Sequence, residues 1–95
     1  MKILALEKEA KHAQPTDFQP LLVDEAKKVY ELYQAGVVRE IYFHQTDHTA
    51  VIMLECANAD EAGEVLGSLP LVKAGLITFD IIPLVPYSGF ARLFK

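Results

Sequence analysis

The stretch that decides the fold is LPLVKAGLITFDIIPLVPY, residues 69–87. Its first three residues are typical of a helix exit, and Gly75 permits the turn that follows. The apolar run after this glycine predicts a strand over residues 76–83, in which Thr78 and Asp80 are the only polar positions. We therefore expect a largely apolar last strand that the earlier elements flank.

Length and composition favour a small oligomeric protein. The chain has 95 residues and a mass of 10.6 kDa, which predicts one domain over residues 1–95. Hydrophobic residues make up 52% of it and the mean hydropathy is +0.19, so part of its surface should be covered by another copy. We expect a homodimer or a higher homo-oligomer.

Charge and targeting features exclude several other partners. The net charge is -4, and the nine Lys and Arg residues form no basic stripe, so we expect no nucleic-acid partner. No apolar run approaches the ~20 residues of a membrane helix. The single cysteine, Cys56, excludes an internal disulfide. The apolar core of the N-terminal stretch is too short for a signal peptide and soon turns charged. The expected compartment is the cytoplasm.

The remaining elements follow from periodicity and capping residues. Helix one should begin between Asp17 and Leu22, bury Leu22, Ala26, Val29 and Tyr33, and end at Gly36. Asn58 should cap helix two, which Pro70 ends. The predicted strands are residues 2–7, 37–44, 49–56 and 76–83, with a connecting loop over residues 8–16.

The order β-α-β-β-α-β predicts an α+β fold of the ferredoxin-like class. Two helices would cover one face of a four-stranded antiparallel sheet. The other face would be bare but apolar, so we expect it to pack against the sheet of a second subunit and close a barrel across the dimer.

In this respect the chain resembles the dimeric α+β barrel superfamily, and in particular the muconolactone isomerase-like group of small bacterial proteins. The likeness lies in the element order, in the Leu-Pro-Leu exit of helix two and in the acid two residues after a polar position, Thr78 and Asp80. It implies a dimer, no metal or cofactor, proton transfer, and a pocket completed by the partner subunit. Thr78 stands where that group tends to carry a carboxylate, so we transfer the fold, the dimer and the pocket, but not the reaction.

Ionisable groups inside apolar strands are the candidate catalytic residues. The functional interpretation makes Asp80 or Glu55 a general base of raised pKa in an apolar pocket, with His44 or Tyr42 as proton donor. The structural interpretation is an Arg39–carboxylate pair that stabilises the sheet or the dimer. An odd hairpin loop would place Arg39 opposite Glu55, whereas an even one would place Glu40, Tyr42 and His44 on the face of Glu55.

Aromatic and imidazole groups supply further candidates. His44, Asp47 and His48 flank the hairpin turn, where an imidazole and a carboxylate could hydrogen-bond, or all three could be solvated turn residues. Tyr30 and Tyr33 share a helix face, in the core or along a pocket. The aromatic tail with Tyr87, Phe90 and Phe94 should dock on a neighbouring subunit.

Two classes of function remain open from the sequence. The first is a cofactor-independent isomerase that moves a proton in a small hydrophobic ligand. The second is a non-catalytic binding or assembly protein built on the same dimer. A cofactorless monooxygenase shares the fold in this superfamily, but no residue here singles it out.

Overall fold

The computed structural model describes residues 1–94. The strands are β1 (Lys2–Glu9), β2 (Val38–Phe43), β3 (Ala50–Glu55) and β4 (Ile77–Pro83), and the helices are α1 (Pro15–Phe18), α2 (Leu22–Gln34), α3 (Ala59–Gly67) and α4 (Pro70–Lys73). Two 3-10 segments, Gln19–Leu21 and Gly89–Phe94, complete the secondary structure. Within these described residues, no helix is long and apolar enough to cross a membrane.

The four strands form one antiparallel sheet in the order β2-β3-β1-β4. In the centre, Ala5 of β1 pairs with Ile52 of β3 on one side and with Ile81 of β4 on the other. Strands β1 and β4 are therefore neighbours, and helices α2 and α3 pack on the same side of the sheet. This arrangement confirms the predicted ferredoxin-like α+β fold.

Alternate residues along each strand divide the sheet into a helix face and an open face. The helix face carries the largest fully buried side chains, which are Ile3, Ile52, Leu54 and Ile77, together with Leu69 from the segment after α3. The open face carries partly exposed apolar side chains and a few charged ones. Its apolar members are Leu4, Leu6, Val51, Met53 and Ile82.

Three local signals in the sequence form the turns that they predict. Gly36 takes φ 80°, and the following N–H of Val37 donates to the carbonyl of Leu32, which closes α2 in a left-handed cap. Gly75 takes φ 75° between α4 and β4. Asn58 caps α3, because its side-chain oxygen accepts the Glu61 N–H at 2.8 Å.

Apart from one-residue shifts at the ends of the other strands, three element boundaries differ from the sequence-based expectation. Strand β1 continues to Glu9, because Lys8 and Glu9 pair with the first residues of β4. The helical region already begins at Pro15, where the carboxylate of Asp17 accepts the Gln14 N–H at 2.8 Å. Pro70 does not end α3. It starts the separate short helix α4, a first-turn position that suits proline.

Helix α2 packs on the sheet less closely than its apolar pattern predicts. Of the predicted stripe only Val29 contacts the core, and it does so together with Leu32, which the predicted stripe did not include. Leu22, Tyr30 and Tyr33 remain 43%, 60% and 55% exposed. The prediction that Leu22, Ala26 and Tyr33 are buried is therefore wrong, because these side chains border an open space between α2 and strand β2.

The C-terminal segment extends from the sheet with most of its apolar side chains in solvent. The rings of Tyr87 and Phe90 contact each other edge to face, with centroids 4.9 Å apart. Leu93 and Phe94 are 74% and 81% exposed, so the tail does not dock on its own chain. The molecule is accordingly elongated, measuring 58 × 28 × 21 Å.

Candidate functional site

A cleft of about 1010 Å³ lies between helix α2 and the sheet. On the helix side it is lined by Leu22, Ala26, Val29, Tyr30 and Tyr33. On the sheet side it is lined by Ile41, Phe43, Ala50, Ile52 and Phe79. These walls are apolar and aromatic, and the small residues Ala26 and Ala50 leave room between them. Such a space suits a small hydrophobic molecule.

Two half-buried carboxylates face this apolar space. Glu7 lies on the helix face of β1, two residues beyond the buried Ala5, and its Oε1 accepts the Ala50 N–H at 2.9 Å. Glu25 lies on α2, and its Oε1 accepts the Leu71 N–H of α4 at 2.9 Å. Each carboxylate is therefore held by one backbone donor from a distant part of the chain, which fixes its position in the cleft.

Burial shifts the ionisation of both carboxylates in the direction that a general base at neutral pH requires. Partial burial raises the pKa of Glu7, although the Ala50 hydrogen bond opposes the rise, and the charge of Glu9 adds to it. Partial burial likewise raises the pKa of Glu25 against the Leu71 hydrogen bond, and the negative charge of Glu7 raises it further. The negative charge of Glu7 is thus felt by Glu25.

A β-bulge places a cationic group, Arg39, at the cleft. Val38 pairs with Leu54 and Glu40 pairs with Met53, so Arg39 is an extra residue in β2. Arg39 lines the cleft, and its Nε donates to the carbonyl of Gly36. Its guanidinium is thereby held against the end of α2.

Tyr42 and Glu40 form the rim of the cleft on the edge strand β2. The Tyr42 hydroxyl donates to Oε1 of Glu40 at 2.9 Å, and this bond is the main cause that raises the pKa of Tyr42. The hairpin connection spans residues 44–49, an even number, and Tyr42 pairs with Val51. Of the two predicted registers, the structure therefore has the one in which Glu40 and Tyr42 share the face of Glu55.

The hairpin histidines take separate positions. Nδ1 of His44 accepts the backbone N–H groups of Thr46 and Asp47, at 3.1 and 3.0 Å. The Asp47 carboxylate is 3.9 Å from the same nitrogen, too far for the imidazole–carboxylate hydrogen bond considered from the sequence. His48 instead lines the cleft, with its ring edge to face on Phe43 at 5.2 Å.

The two carboxylates favoured from the sequence lie on the open face, outside the cleft. Oε2 of Glu55 accepts a hydrogen bond from the N-terminal ammonium of Met1, with a nitrogen–oxygen distance of 2.6 Å. This bond lowers the pKa of Glu55. The expectation of a raised pKa in an apolar pocket is therefore wrong for Glu55. Asp80 is half exposed and pairs with Lys8 at 2.9 Å. Of the five residues singled out, the structure brings Arg39 and Tyr42 to the cleft, but not Glu55, Asp80 or His44.

Sequence reasoning missed Glu7 and Glu25, although each carried a signal. Glu7 follows Ile3 and Ala5 at alternate positions, which predicts an acid on the core face of a strand. Glu25 precedes Val29 by four residues and Leu32 by seven, the spacing of a single helix face. An acid in register with core residues is the unusual feature in both cases.

The described residues offer no metal centre. Within residues 1–94 no three His, Cys, Asp or Glu side chains are grouped so that they could hold a metal ion. The chemistry that the cleft can perform with its own groups is proton transfer by carboxylates, with Arg39, His48 and the tyrosines as hydrogen-bond donors.

Fold and cleft together define a ferredoxin-like α+β protein with an acid-bearing cavity beside the sheet edge. Among solved structures, the chain is similar to muconolactone isomerase, with a TM-score of 0.75, 16% identity, and coverage of 93% of this chain and 92% of that one. It is also similar to 5-chloro-2-hydroxyhydroquinone dehydrochlorinase from Burkholderia phenoliruptrix AC1100 in complex with 2,5-dihydroxybenzoquinone, with a TM-score of 0.63, 17% identity, and coverage of 94% and 98%.

At these identities the likeness shows the fold. It confirms the resemblance to the muconolactone isomerase-like group at that level. Comparisons with protein-family models and with curated proteins found no match.

Proposed function

We propose that the protein is a cofactor-independent enzyme that moves a proton within a small hydrophobic substrate bound in the cleft. The observation that carries this proposal is the placement of two half-buried carboxylates, Glu7 and Glu25, in a largely apolar and aromatic space. A base surrounded by apolar walls is poorly solvated, and its raised pKa makes it a stronger proton acceptor.

Glu7 is the proposed base. Its carboxylate takes a proton from a carbon next to a carbonyl group, and the electron pair of the broken C–H bond moves toward the carbonyl oxygen. The same carboxyl group then returns the proton to a different carbon, which shifts the double bond and restores the base. The reaction needs no further reactant.

The comparisons support a proton-transfer function. One structural neighbour is by its name an isomerase of a lactone, and the other a dehydrochlorinase seen with a dihydroxybenzoquinone. Both reactions can begin when a base removes a proton from a small ring. We therefore propose lactones, enols and hydroxyquinones as the substrate class.

The test is proton exchange measured by NMR in deuterated water, with a panel of enol lactones and with 2,5-dihydroxybenzoquinone. Glu7→Gln keeps an acceptor for the Ala50 N–H but removes the charge, so we expect its exchange rate to fall by about 10²–10⁴-fold. Glu25→Gln is the matched change on α2, and Glu64→Gln, on the exposed side of α3, is the control. No exchange by the wild type across the panel would contradict the proposal.

Asp80→Asn and Glu55→Gln form a second arm of this experiment. They test the carboxylates of the open face, which the sequence favoured. A loss of exchange in Asp80→Asn while Glu7→Gln remains active would mean that the general base lies on the open face and not in the cleft.

We further propose a homodimer formed through the open face of the sheet. Five partly exposed apolar side chains lie side by side there, flanked by the Lys8–Asp80 pair and by Glu55. Covering such a face with a second sheet would remove these side chains from water. The exposed aromatic tail favours assembly as well, so the alternative function, a binding or assembly protein, would use the same surfaces without the chemistry.

A further inference from the structure

The proposed reaction needs a donor for the oxygen on which negative charge develops, and His48 is placed to supply it. His48 lies at the end of the hairpin and lines the cleft. Its backbone takes φ 57°, in the left-handed region that residues with a side chain rarely adopt. A conformation of this kind is strained and persists only where the surroundings hold it.

The surroundings of His48 hold it in two ways. Its N–H donates to the carbonyl of His44 at 2.9 Å, and the His44 ring in turn accepts two backbone N–H groups of the same turn. The His48 ring rests edge to face on Phe43. The turn therefore presents this imidazole to the cleft in one orientation.

His48 and Glu7 occupy the same end of the cleft. Phe43, which supports the His48 ring, pairs with Ala50 across the hairpin. The N–H of Ala50 is the donor that holds the Glu7 carboxylate. A proton acceptor and an imidazole thus converge on the first residue of β3, one from β1 and the other from the turn.

Two other donors at the cleft are already engaged, whereas the Nη groups of Arg39 and the hydroxyls of Tyr30 and Tyr33 make no hydrogen bond within residues 1–94. The Nε of Arg39 donates to Gly36, and the Tyr42 hydroxyl donates to Glu40. The His44 ring faces its own turn. By contrast, the hydrogen bonds found within residues 1–94 leave both ring nitrogens of His48 free for a ligand.

We propose that the ring N–H of His48 donates a hydrogen bond to the carbonyl oxygen of the substrate and stabilises the enolate that forms when Glu7 removes the neighbouring proton. This inference rests on the proposed function. In the balanced step, the C–H bond breaks, an O–H bond forms on Glu7, and the electron pair passes into the enolate, whose oxygen the imidazole N–H contacts. Glu7 then returns the proton to a different carbon of the enolate, farther from the carbonyl group than the one that lost it. This removes the negative charge from the oxygen, and His48 keeps its own proton throughout.

The experiment compares three histidine variants with α-angelica lactone, a simple enol lactone, as the probe. His48→Gln keeps an N–H donor, whereas His48→Gly removes it and suits the left-handed backbone. His12→Gln changes an exposed histidine outside the cleft and is the matched control. Isomerisation and deuterium exchange are followed by NMR, and the fold of each variant is checked by its amide spectrum.

We expect kcat to fall by about 10²–10³-fold in His48→Gly with little change in KM, the loss typical of removing one oxyanion donor. His48→Gln should retain much more activity than His48→Gly, and His12→Gln should match the wild type. Full activity in a folded His48→Gly protein, while Glu7→Gln is inactive, would overturn the role of His48 alone. An inactive wild type would overturn the proposed function, and this inference with it.

Discussion

Two neighbouring residues of β3 report separately on the two faces of the sheet. Leu54 lies on the helix face, is 0% exposed, and pairs with Ile3 on one side and Val38 on the other. Met53 lies on the open face and is half-buried in the single chain. Truncating each side chain to alanine therefore tests the hydrophobic core and the proposed dimer interface at almost the same point of the backbone.

The cost of Leu54→Ala follows from its complete burial. The change removes three carbon groups, which at about 0.8 kcal/mol each corresponds to ~2.4 kcal/mol of lost transfer free energy. Paired strands on both sides limit collapse of the cavity, so we expect a total near the middle of the range of about 2–5 kcal/mol. For a domain of this size such a loss lowers Tm by about 12–30 °C.

Met53→Ala separates the single chain from the dimer. If the open face is exposed to water, truncating the half-buried methionine should lower the free energy of unfolding by about 1 kcal/mol or less, whatever the protein concentration. If a second sheet covers it, the cost rises into the range of a buried residue. Stability then also changes by about 1.4 kcal/mol for each tenfold change in concentration.

Urea unfolding of both variants at two protein concentrations, with light scattering on the same samples, measures these effects. Val23→Ala, at a 68% exposed position of α2, is the control for an apolar truncation that should cost little. A cost below about 1 kcal/mol for Leu54→Ala would refute the core described above. A mass near 10.6 kDa, together with a small and concentration-independent cost for Met53→Ala, would refute the dimer.

Two further predictions concern the cleft and the tail. Because burial raises the pKa of Glu7 and Glu25, the folded state holds their protons more tightly than the unfolded state, so these groups should reduce stability as pH rises from 4.5 through their raised values. Thermal unfolding should therefore show Glu7→Gln and Glu25→Gln gaining Tm relative to the wild type over that window, and an unchanged difference would contradict the shifts. Phe90→Ser, at a 66% exposed tail position, should leave the Tm of the monomer within about 2–4 °C, because exposed substitutions usually change stability by less than about 0.5 kcal/mol. It should reduce the mass measured by light scattering if the tail holds copies together, and an unchanged mass would show that it does not.

Local signals made the fold predictable. Gly36 and Asn58 end and begin helices through contacts within a few residues, so their effect can be read from the neighbouring sequence. The extension of β1 to Glu9 could not be read in this way, because it depends on pairing with Ile77, 68 positions away. Boundaries that depend on distant partners are the part that sequence patterns leave open.

The candidate site was less predictable for the same reason. The amphipathic pattern of α2 shows that one side is apolar, but not whether that side meets the sheet or a cleft. Tyr30 and Tyr33 face the cleft because the helix rests on Val29 and Leu32 instead. Glu25 belongs to the site only because Leu71, 46 residues further along the chain, supplies its hydrogen-bond donor.

The cleft and the imperfect packing of this domain have a common origin. The bulge at Arg39 interrupts the regular pairing of β2, and the Glu25–Leu71 hydrogen bond attaches α2 to α4. Small residues at positions 26 and 50 leave the resulting gap unfilled. A domain built for stability alone would close it with larger apolar side chains in place of two carboxylates whose ionisation burial disfavours. The groups that lower stability are those that face the open space, which is the arrangement expected where a binding site has been kept at the expense of the core.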